Sequence, residues 1–291
     1  MEESNAKVSC LRGSLCVFAA GSLLHAAVIY NNLTPNNQIA IATRPGTSTT
    51  TEIEAGDDFF LGAPTRIETA SFDGLIVGTG APTITELVVE MYRVFPLDSN
   101  MTRTPNVPTR ANSPSDVAFD SRDSAAGQLT FSSTVLSTTF TALNSVQPGG
   151  IHAFPNQTTM GNGPLTGQEV QFDVTFTVPF SLPSDHFFFV PQVLLSNGAQ
   201  FYWLSASRPI TGPNTTPFPP NVTDLQVWTR DENLDPDWLR VGTDIVGGTT
   251  PPTFNAAFAL GGTALPEPSG MALLAGGVAA LAVLRRIRRA L

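Results

Sequence analysis

Between residues 168 and 178, apolar side chains occupy every second position from Val170 onward, and polar side chains occupy the positions between them. Successive side chains of a β-strand point to opposite faces, so this period of two predicts a strand with one buried face and one exposed face. The buried face would carry Val170, Phe172, Val174, Phe176 and Val178. A strand of this kind needs a second layer against its apolar face, which favours a layered β-structure.

Similar segments recur along the chain, and Gly, Pro and Asn separate them. The 24 glycines and 24 prolines would interrupt helices repeatedly. Further strands are predicted at residues 38–43, 67–77, 83–95, 129–143, 186–195, 200–205 and 253–260. About ten strands at this spacing favour an all-β fold, an antiparallel β-sandwich of the jelly-roll kind.

Three segments give more local predictions. Asn197 and Gly198 stand between two strand segments and tolerate the positive φ of a tight turn, which predicts a β-hairpin. Residues 83–95 place apolar side chains on both faces, which predicts a central strand that is covered on both sides. Between the termini, the best helix candidate is a single turn at residues 233–240.

The first 27 residues have the order of a secretory signal peptide. Lys7 and Arg12 precede an apolar run at residues 15–24, and small residues follow. A run of about ten apolar residues is typical of such a signal and is too short for a membrane-spanning helix of ~20 residues. Because Cys10 and Cys16 both lie in this segment, the mature chain would contain no thiol. A disulfide-stapled domain and a cysteine nucleophile are therefore not expected.

The C-terminal segment combines three features in one order. It contains a Pro-Glu-Pro motif, then the uncharged apolar stretch 269–284, then an arginine cluster: Pro266, Glu267 and Pro268, followed by Arg285, Arg286, Arg288 and Arg289. The apolar stretch predicts a single transmembrane helix, and the arginines would stop transfer and remain on the cytoplasmic side. Its 16 residues span about 24 Å, so snorkelling arginines would extend the span. The alternative is an amphipathic helix docked on the domain, but the stretch is apolar all round.

This arrangement resembles the PEP-CTERM sorting signal of bacterial surface proteins, in which the same three elements occur in the same order. The resemblance implies recognition and processing by an exosortase-type membrane peptidase. It divides the chain into a signal peptide at 1–27, an ectodomain at 28–262 and a sorting signal at 263–291. The protein would be exported through the inner membrane, held there by the C-terminal helix before processing, and then displayed at the cell surface or released outside the cell.

The middle of the chain is acidic. Residues 28–264 contain nine arginines, no lysine and 21 acidic residues, which gives a formal charge of −12. Nucleic-acid binding needs clustered positive charge, so no nucleic-acid partner is expected. Acidic surface residues most often only keep a protein hydrated and soluble. The alternative is that they bind cations or cationic polymers.

One acidic segment is a candidate calcium site. Asp231, Asp235 and Asp237 offer oxygen ligands of the type that Ca²⁺ takes, at roughly alternate positions. The segment lacks the glycine and the terminal glutamate of an EF-hand loop. A second, sparser group consists of Asp116, Asp120 and Asp123. Solvated turns and local caps are the alternative interpretation of both groups.

Three tryptophans are candidates for carbohydrate binding. Flat aromatic faces stack on sugars, and the residues considered are Trp203, Trp228 and Trp238. Packing in a core that lacks thiols is the alternative interpretation of these side chains.

The sequence contains no nucleophile elbow, phosphate loop, HExxH motif or dinucleotide fingerprint. We therefore predict no catalytic residue and no cofactor other than the candidate Ca²⁺. The expected function is that of a non-enzymatic protein of the cell surface or extracellular matrix, which binds or is embedded in extracellular polysaccharide. The alternative is an exported polysaccharide hydrolase with paired carboxylates, whose spacing in space a sequence does not give.

Overall fold

The computed structural model describes residues 26–99, 111–151, 158–212, 215–231, 238–266, 281 and 285–288. These residues form an all-β fold, as the sequence predicts. The strands are β1 Ala27–Asn31, β2 Pro35–Ala42, β3 Ile53–Phe60, β4 Thr65–Val77, β5 Ile84–Arg93, β6 Asp120–Asp123, β7 Leu129–Ala142, β8 Asn144–Val146, β9 Leu165–Leu182, β10 His186–Leu195, β11 Gln200–Ala206, β12 Trp228–Asp231, β13 Leu239–Arg240 and β14 Phe258–Ala264. A 3₁₀ turn at Pro148–Gly150 and a π-helical segment at Val241–Val246 complete the elements.

The strands form two sheets. The second sheet has the order β13-β12-β3-β10-β5-β6. The first sheet contains the other eight strands around β4, which pairs with β14, β11 and β9. Every strand pair is antiparallel except β2 and β8, which run parallel. The structure thus differs at this one pair from a wholly antiparallel sandwich. β8 follows β7 almost directly along the chain and runs in the same direction as β2.

Aromatic rings fill the space between the two sheets. Phe189 of the second sheet stacks on Phe258 of the first, with ring centroids 5.0 Å apart and an angle of 10° between the planes. Phe72 and Phe172, which lie on neighbouring strands of the first sheet, stack in the same way at 5.0 Å. All four side chains are fully buried. Burial of apolar area in this layer is the main force that holds the sheets together.

The alternating segment of β9 is confirmed, with one exception. Val170, Phe172, Val174 and Phe176 are buried, whereas Val178 is 48% exposed and its predicted burial is wrong. The regular pairing of β9 with β4 is interrupted between Thr175 and Phe180, so Val178 lies in a bulge. Arg122 of β6 holds this bulge, since it donates hydrogen bonds to the carbonyl oxygens of Val178 and Pro179 and lies over the Phe180 ring.

The predicted turn at Asn197 and Gly198 is confirmed, but the predicted hairpin is wrong. Both residues have positive φ, 59° and 71°. The strands on either side do not pair with each other, because β10 pairs with β3 and β5 while β11 pairs with β2 and β4. The turn therefore carries the chain from the second sheet to the first.

The prediction that residues 83–95 form a strand covered on both faces is confirmed. Leu87, Val89 and Met91 of β5 face the main core. On the other face, Tyr92 joins a second apolar cluster with Phe188, Val190, Leu225, Trp228 and Trp238. Leu225, Trp228 and Trp238 thus cover the outer face of β5 and β10, and polar side chains under this cover lose contact with water.

Several predictions fall on the chain ends and on the 233–240 turn. Most of the signal peptide, residues 232–237, Glu267, Pro268 and Arg289 lie outside the described residues. Pro266 is exposed, and Arg285, Arg286 and Arg288 are helical and exposed. Of the helices in the described part of the chain, none has both the length and the hydropathy needed to cross a membrane.

Candidate functional site

Three glutamates meet on the outer face of the second sheet, and we call them the glutamate cluster: Glu52, Glu54 and Glu90. Glu54 lies between the core residues Ile53 and Ala55 of β3, and Glu90 lies in the same way between core residues of β5. Because neighbouring side chains of a strand point to opposite faces, both carboxyl groups project away from the core. One oxygen of each of the three glutamates lies within 4.8 Å of the others.

A chain of hydrogen bonds joins two of these carboxyl groups. The Tyr92 hydroxyl lies 2.5 Å from Glu54 Oε1 and 3.0 Å from Glu90 Oε2. Arg230 of β12 donates from Nε to Glu54 Oε2 and from Nη2 to the Tyr92 oxygen, the latter over 3.0 Å. A hydroxyl has one proton to donate. When Tyr92 donates it to Glu54, the 3.0 Å contact between Tyr92 and Glu90 is a hydrogen bond only if Glu90 carries a proton and donates it to the Tyr92 oxygen.

The pKa shifts of the two glutamates also place the proton on Glu90 rather than on Glu54. Burial raises the pKa of Glu90 to about 8, and the nearby charge of Glu54 raises it further in the same direction. Burial also acts to raise the pKa of Glu54, but the charge and hydrogen bond of Arg230 outweigh it, so that this pKa lies below its usual value. At neutral pH the pair therefore holds one proton, on Glu90, and Glu54 is ionised.

The same oxygens are the type that a hard divalent cation prefers. Glu52 accepts a hydrogen bond of 2.6 Å from Gln192 Nε2, and one of its oxygens lies within 4.8 Å of an oxygen of Glu54 and of Glu90. Both oxygens of Glu54, however, already accept hydrogen bonds from Tyr92 and Arg230. The arrangement therefore holds a shared proton at neutral pH, and it suits a cation only after Glu90 has lost its proton.

A second buried acidic group lies near β3. Asp58 accepts hydrogen bonds from the backbone N–H of Leu225 and lies 2.6 Å from His186 Nε2. Burial raises the pKa of Asp58 well above its usual value and lowers that of His186 to about 4. Asp224 accepts a hydrogen bond of 2.8 Å from Arg208, which also donates to the Tyr30 hydroxyl over 2.6 Å. These contacts tie Leu225 to Asp58 of the second sheet and Arg208 to Tyr30 of the first sheet.

The predicted calcium ligands are only partly within the described residues. Asp231 ends β12 and accepts a hydrogen bond of 3.1 Å from Thr51, while Asp235 and Asp237 lie outside the described residues. In the second predicted group, Asp120 pairs with Arg122 at 2.5 Å and Asp123 accepts a hydrogen bond from the backbone of Ala125. These two side chains serve as an ion-pair partner and a turn cap, while Asp116 is buried.

The prediction that the three tryptophans form sugar-binding platforms is wrong, because none of them presents an open ring face. Trp203, Trp228 and Trp238 are 0%, 4% and 1% exposed. Trp203 donates its indole N–H to the carbonyl oxygen of Ala257, and Trp238 donates to that of Ser115. Arg230 lies over Trp238 with its guanidinium carbon 4.6 Å from the ring centroid. Packing, the alternative interpretation, accounts for all three residues.

No family model, curated protein or solved structure matches this chain. Sequence reasoning missed the glutamate cluster, although a signal was present. Glu52, directly before β3, and Glu54 on β3 flank the buried Ile53, and Glu90 and Tyr92 flank the buried Met91 of β5 in the same way. Acidic side chains thus recur on the outer face of both strands.

Proposed function

We propose that this chain is an exported protein of the bacterial cell surface or extracellular matrix, sorted and processed through its C-terminal segment. The observation that carries the proposal is the order of the Pro-Glu-Pro motif, the apolar stretch 269–284 and the arginine cluster. An apolar stretch followed by arginines resists full translocation. An exosortase-type peptidase at the inner membrane would act on the motif. The ectodomain would then bind, or be embedded in, extracellular polysaccharide.

The structure of the ectodomain supports a role outside the cell. Between Ala26 and Pro266 the chain contains no cysteine, so its fold does not depend on the redox state of its surroundings. β14 ends at Ala264, and Ala264, Leu265 and Pro266 are exposed. A processing enzyme would thus meet the start of the motif outside the packed core.

Deletion of residues 266–291 tests this proposal. We expect the truncated chain to appear in the growth medium, because it retains the export signal but lacks the apolar stretch and the arginines. Location and mass are measured by cell fractionation and intact mass spectrometry. The matched variant Glu267→Ala keeps the apolar stretch, and it is expected to remain in the membrane fraction as an unprocessed chain. A truncated chain that stays in the cell fractions, or a Glu267→Ala chain with the location and mass of the wild type, would contradict the proposal.

The glutamate cluster favours a second candidate function, an exported polysaccharide hydrolase. Glu54 is ionised beside a protonated Glu90, the combination that a nucleophile or base and a general acid require. Against this function, Glu54 is only 1% exposed and is held by Arg230, so a substrate has little access to it.

We therefore expect the wild-type chain to release no reducing ends from a panel of extracellular polysaccharides. The matched controls are Glu54→Gln and Glu90→Gln, which keep the size of each side chain. Release by the wild type that falls roughly 100-fold or more in both variants would establish the hydrolase instead.

A further inference from the structure

A buried glutamine projects from the strand that runs through the middle of the glutamate cluster. Strand β10 lies between β3 and β5 in the second sheet. On this strand, Val190 pairs with Glu90 of β5 and packs in the second apolar cluster, on the outer face of the sheet. Gln192 lies two positions later and so projects to the same face. Its amide therefore belongs to the strand that separates Glu54 from Glu90.

The Gln192 side chain carries a buried oxygen without a partner. Gln192 is fully buried, and its Nε2 donates a hydrogen bond of 2.6 Å to Glu52, which fixes the amide beside the glutamate cluster. Its Oε1 is also buried, and it accepts no hydrogen bond from the described residues. A buried acceptor without a partner is costly, and a bound water or ion ordinarily accounts for one. The carboxyl groups beside this oxygen favour an ion.

We propose that the glutamate cluster and Gln192 form a binding site for one calcium ion. Ca²⁺ takes carboxylate and amide oxygens at about 2.3–2.6 Å, so two ligand oxygens of one ion are at most about 5 Å apart. One oxygen from each of the three glutamates lies within 4.8 Å of the others. Each carboxylate oxygen has two lone pairs, so the hydrogen bonds that Glu54 accepts from Tyr92 and Arg230 leave a lone pair for the ion.

The charges of the site match a divalent cation. When the three carboxyl groups are ionised, the glutamate cluster and Arg230 together carry a net charge of −2. Burial makes an uncompensated charge costly, and a divalent cation neutralises this one completely. Glu52 and Glu90 are partly exposed, which gives an ion a path from the solvent. Ca²⁺ fits better than Mg²⁺, because Mg²⁺ keeps several of its waters and is rarely held by protein oxygens alone.

Calcium binding is measured by isothermal titration calorimetry of the full chain in a mild detergent. The buffer is held at about pH 8.5, above the Glu90 pKa of about 8, so that protons compete little with the ion. We expect one Ca²⁺ per chain with a Kd of roughly 0.1–1 mM, the range of extracellular calcium modules, and at least about ten-fold weaker binding of Mg²⁺. Absence of heat at ~10 mM Ca²⁺, or Mg²⁺ binding as tight as that of Ca²⁺, would overturn the proposal.

Two variants test where the ion binds. Glu90→Gln removes a carboxylate ligand and keeps the size of the side chain, while Gln192→Leu removes the amide oxygen that lacks a partner. Each should weaken calcium binding at least about ten-fold. The matched control is Glu86→Gln, because Glu86 lies on the same strand and face as Glu90 but outside the glutamate cluster, and its calcium affinity should equal that of the wild type. Wild-type affinity in Glu90→Gln would place the ion elsewhere, for example at residues 231–237, and would refute the proposal.

Thermal unfolding of the same chains gives a second, independent measurement. An ion at this site joins β3, β10 and β5, so it stabilises the folded chain in proportion to its affinity. We expect ~10 mM Ca²⁺ to raise the unfolding midpoint of the wild type and of Glu86→Gln by roughly 3–8 °C, and that of Glu90→Gln by at least about 2 °C less. Equal rises in all three chains would mean that calcium acts outside the glutamate cluster, contrary to the proposal.

Discussion

Replacement of Arg230 by methionine will lower the free energy of unfolding by about 3–5 kcal/mol. Arg230 is 5% exposed and forms an ion pair with Glu54, which is 1% exposed. It also donates to the Tyr92 hydroxyl and lies over the Trp238 ring. Methionine fills part of the same volume, but it leaves a buried carboxylate without its counter-charge. The loss is measured by urea denaturation at pH 7, with tryptophan fluorescence as the signal.

Arg240→Met is the matched control for this loss. Arg240 also pairs with a buried carboxylate, at 2.7 Å from Asp244, and lies over a tryptophan, Trp228. The Arg240 side chain is 41% exposed, and the backbone N–H of residue 240 still donates to Asp244 after the substitution. We therefore expect a loss below about 1 kcal/mol. Equal losses in the two variants would mean that burial of the Arg230 pair does not matter.

A double variant separates the missing charge from the missing side chain. Arg230→Met combined with Glu54→Gln removes both members of the ion pair, and no unpaired charge stays buried. We expect this variant to regain a large part of the stability that Arg230→Met loses. A double variant less stable than Arg230→Met would show that packing of Arg230, rather than the uncompensated charge of Glu54, causes the loss.

The sequence predicts faces of strands better than it predicts their partners. The period of two identified the buried face of β9, and the positive φ values at Asn197 and Gly198 followed from the residue types. Neither pattern reports which strands pair. The chain crosses between sheets at this turn because β10 and β11 find their partners in distant segments, and such non-local pairing leaves no mark in a short window of sequence.

The glutamate cluster was hidden for a related reason. Glu54 and Glu90 occupy the polar positions of alternating strands, where the ordinary expectation is an exposed side chain. They are shielded because Leu225, Trp228 and Trp238 cover that face, and these residues follow Glu90 by more than a hundred positions. Two of the three tryptophans considered for sugar binding, Trp228 and Trp238, are part of this cover, and Trp203 packs in the main core. Burial by a remote segment thus explains both the hidden glutamates and the two buried tryptophans.

The shared proton of the glutamate cluster makes the free energy of unfolding depend on pH. The pKa of Glu90 is about 8 in the folded chain, against 4.5 for an ordinary glutamate. Between these values the folded chain binds one proton more than the unfolded chain, so stability falls as pH rises. His186 acts in the opposite direction between its folded pKa of about 4 and its usual 6.5. The effect of Glu90 is therefore clearest between pH 6.5 and 8, where His186 is neutral in the folded chain and loses its remaining charge in the unfolded chain early in the range.

Comparison of the wild type with Glu90→Gln isolates this effect, because glutamine resembles the protonated acid and does not titrate. One proton corresponds to about 1.4 kcal/mol per pH unit, so the wild type should lose about 2 kcal/mol more than Glu90→Gln between pH 6.5 and 8. Urea denaturation at four pH values across this range measures the difference. Glu68→Gln removes a partly exposed carboxylate on β4 and controls for the change in net charge. Parallel pH profiles of the wild type and Glu90→Gln would mean that Glu90 is ionised in the folded chain and donates no hydrogen bond to the Tyr92 oxygen.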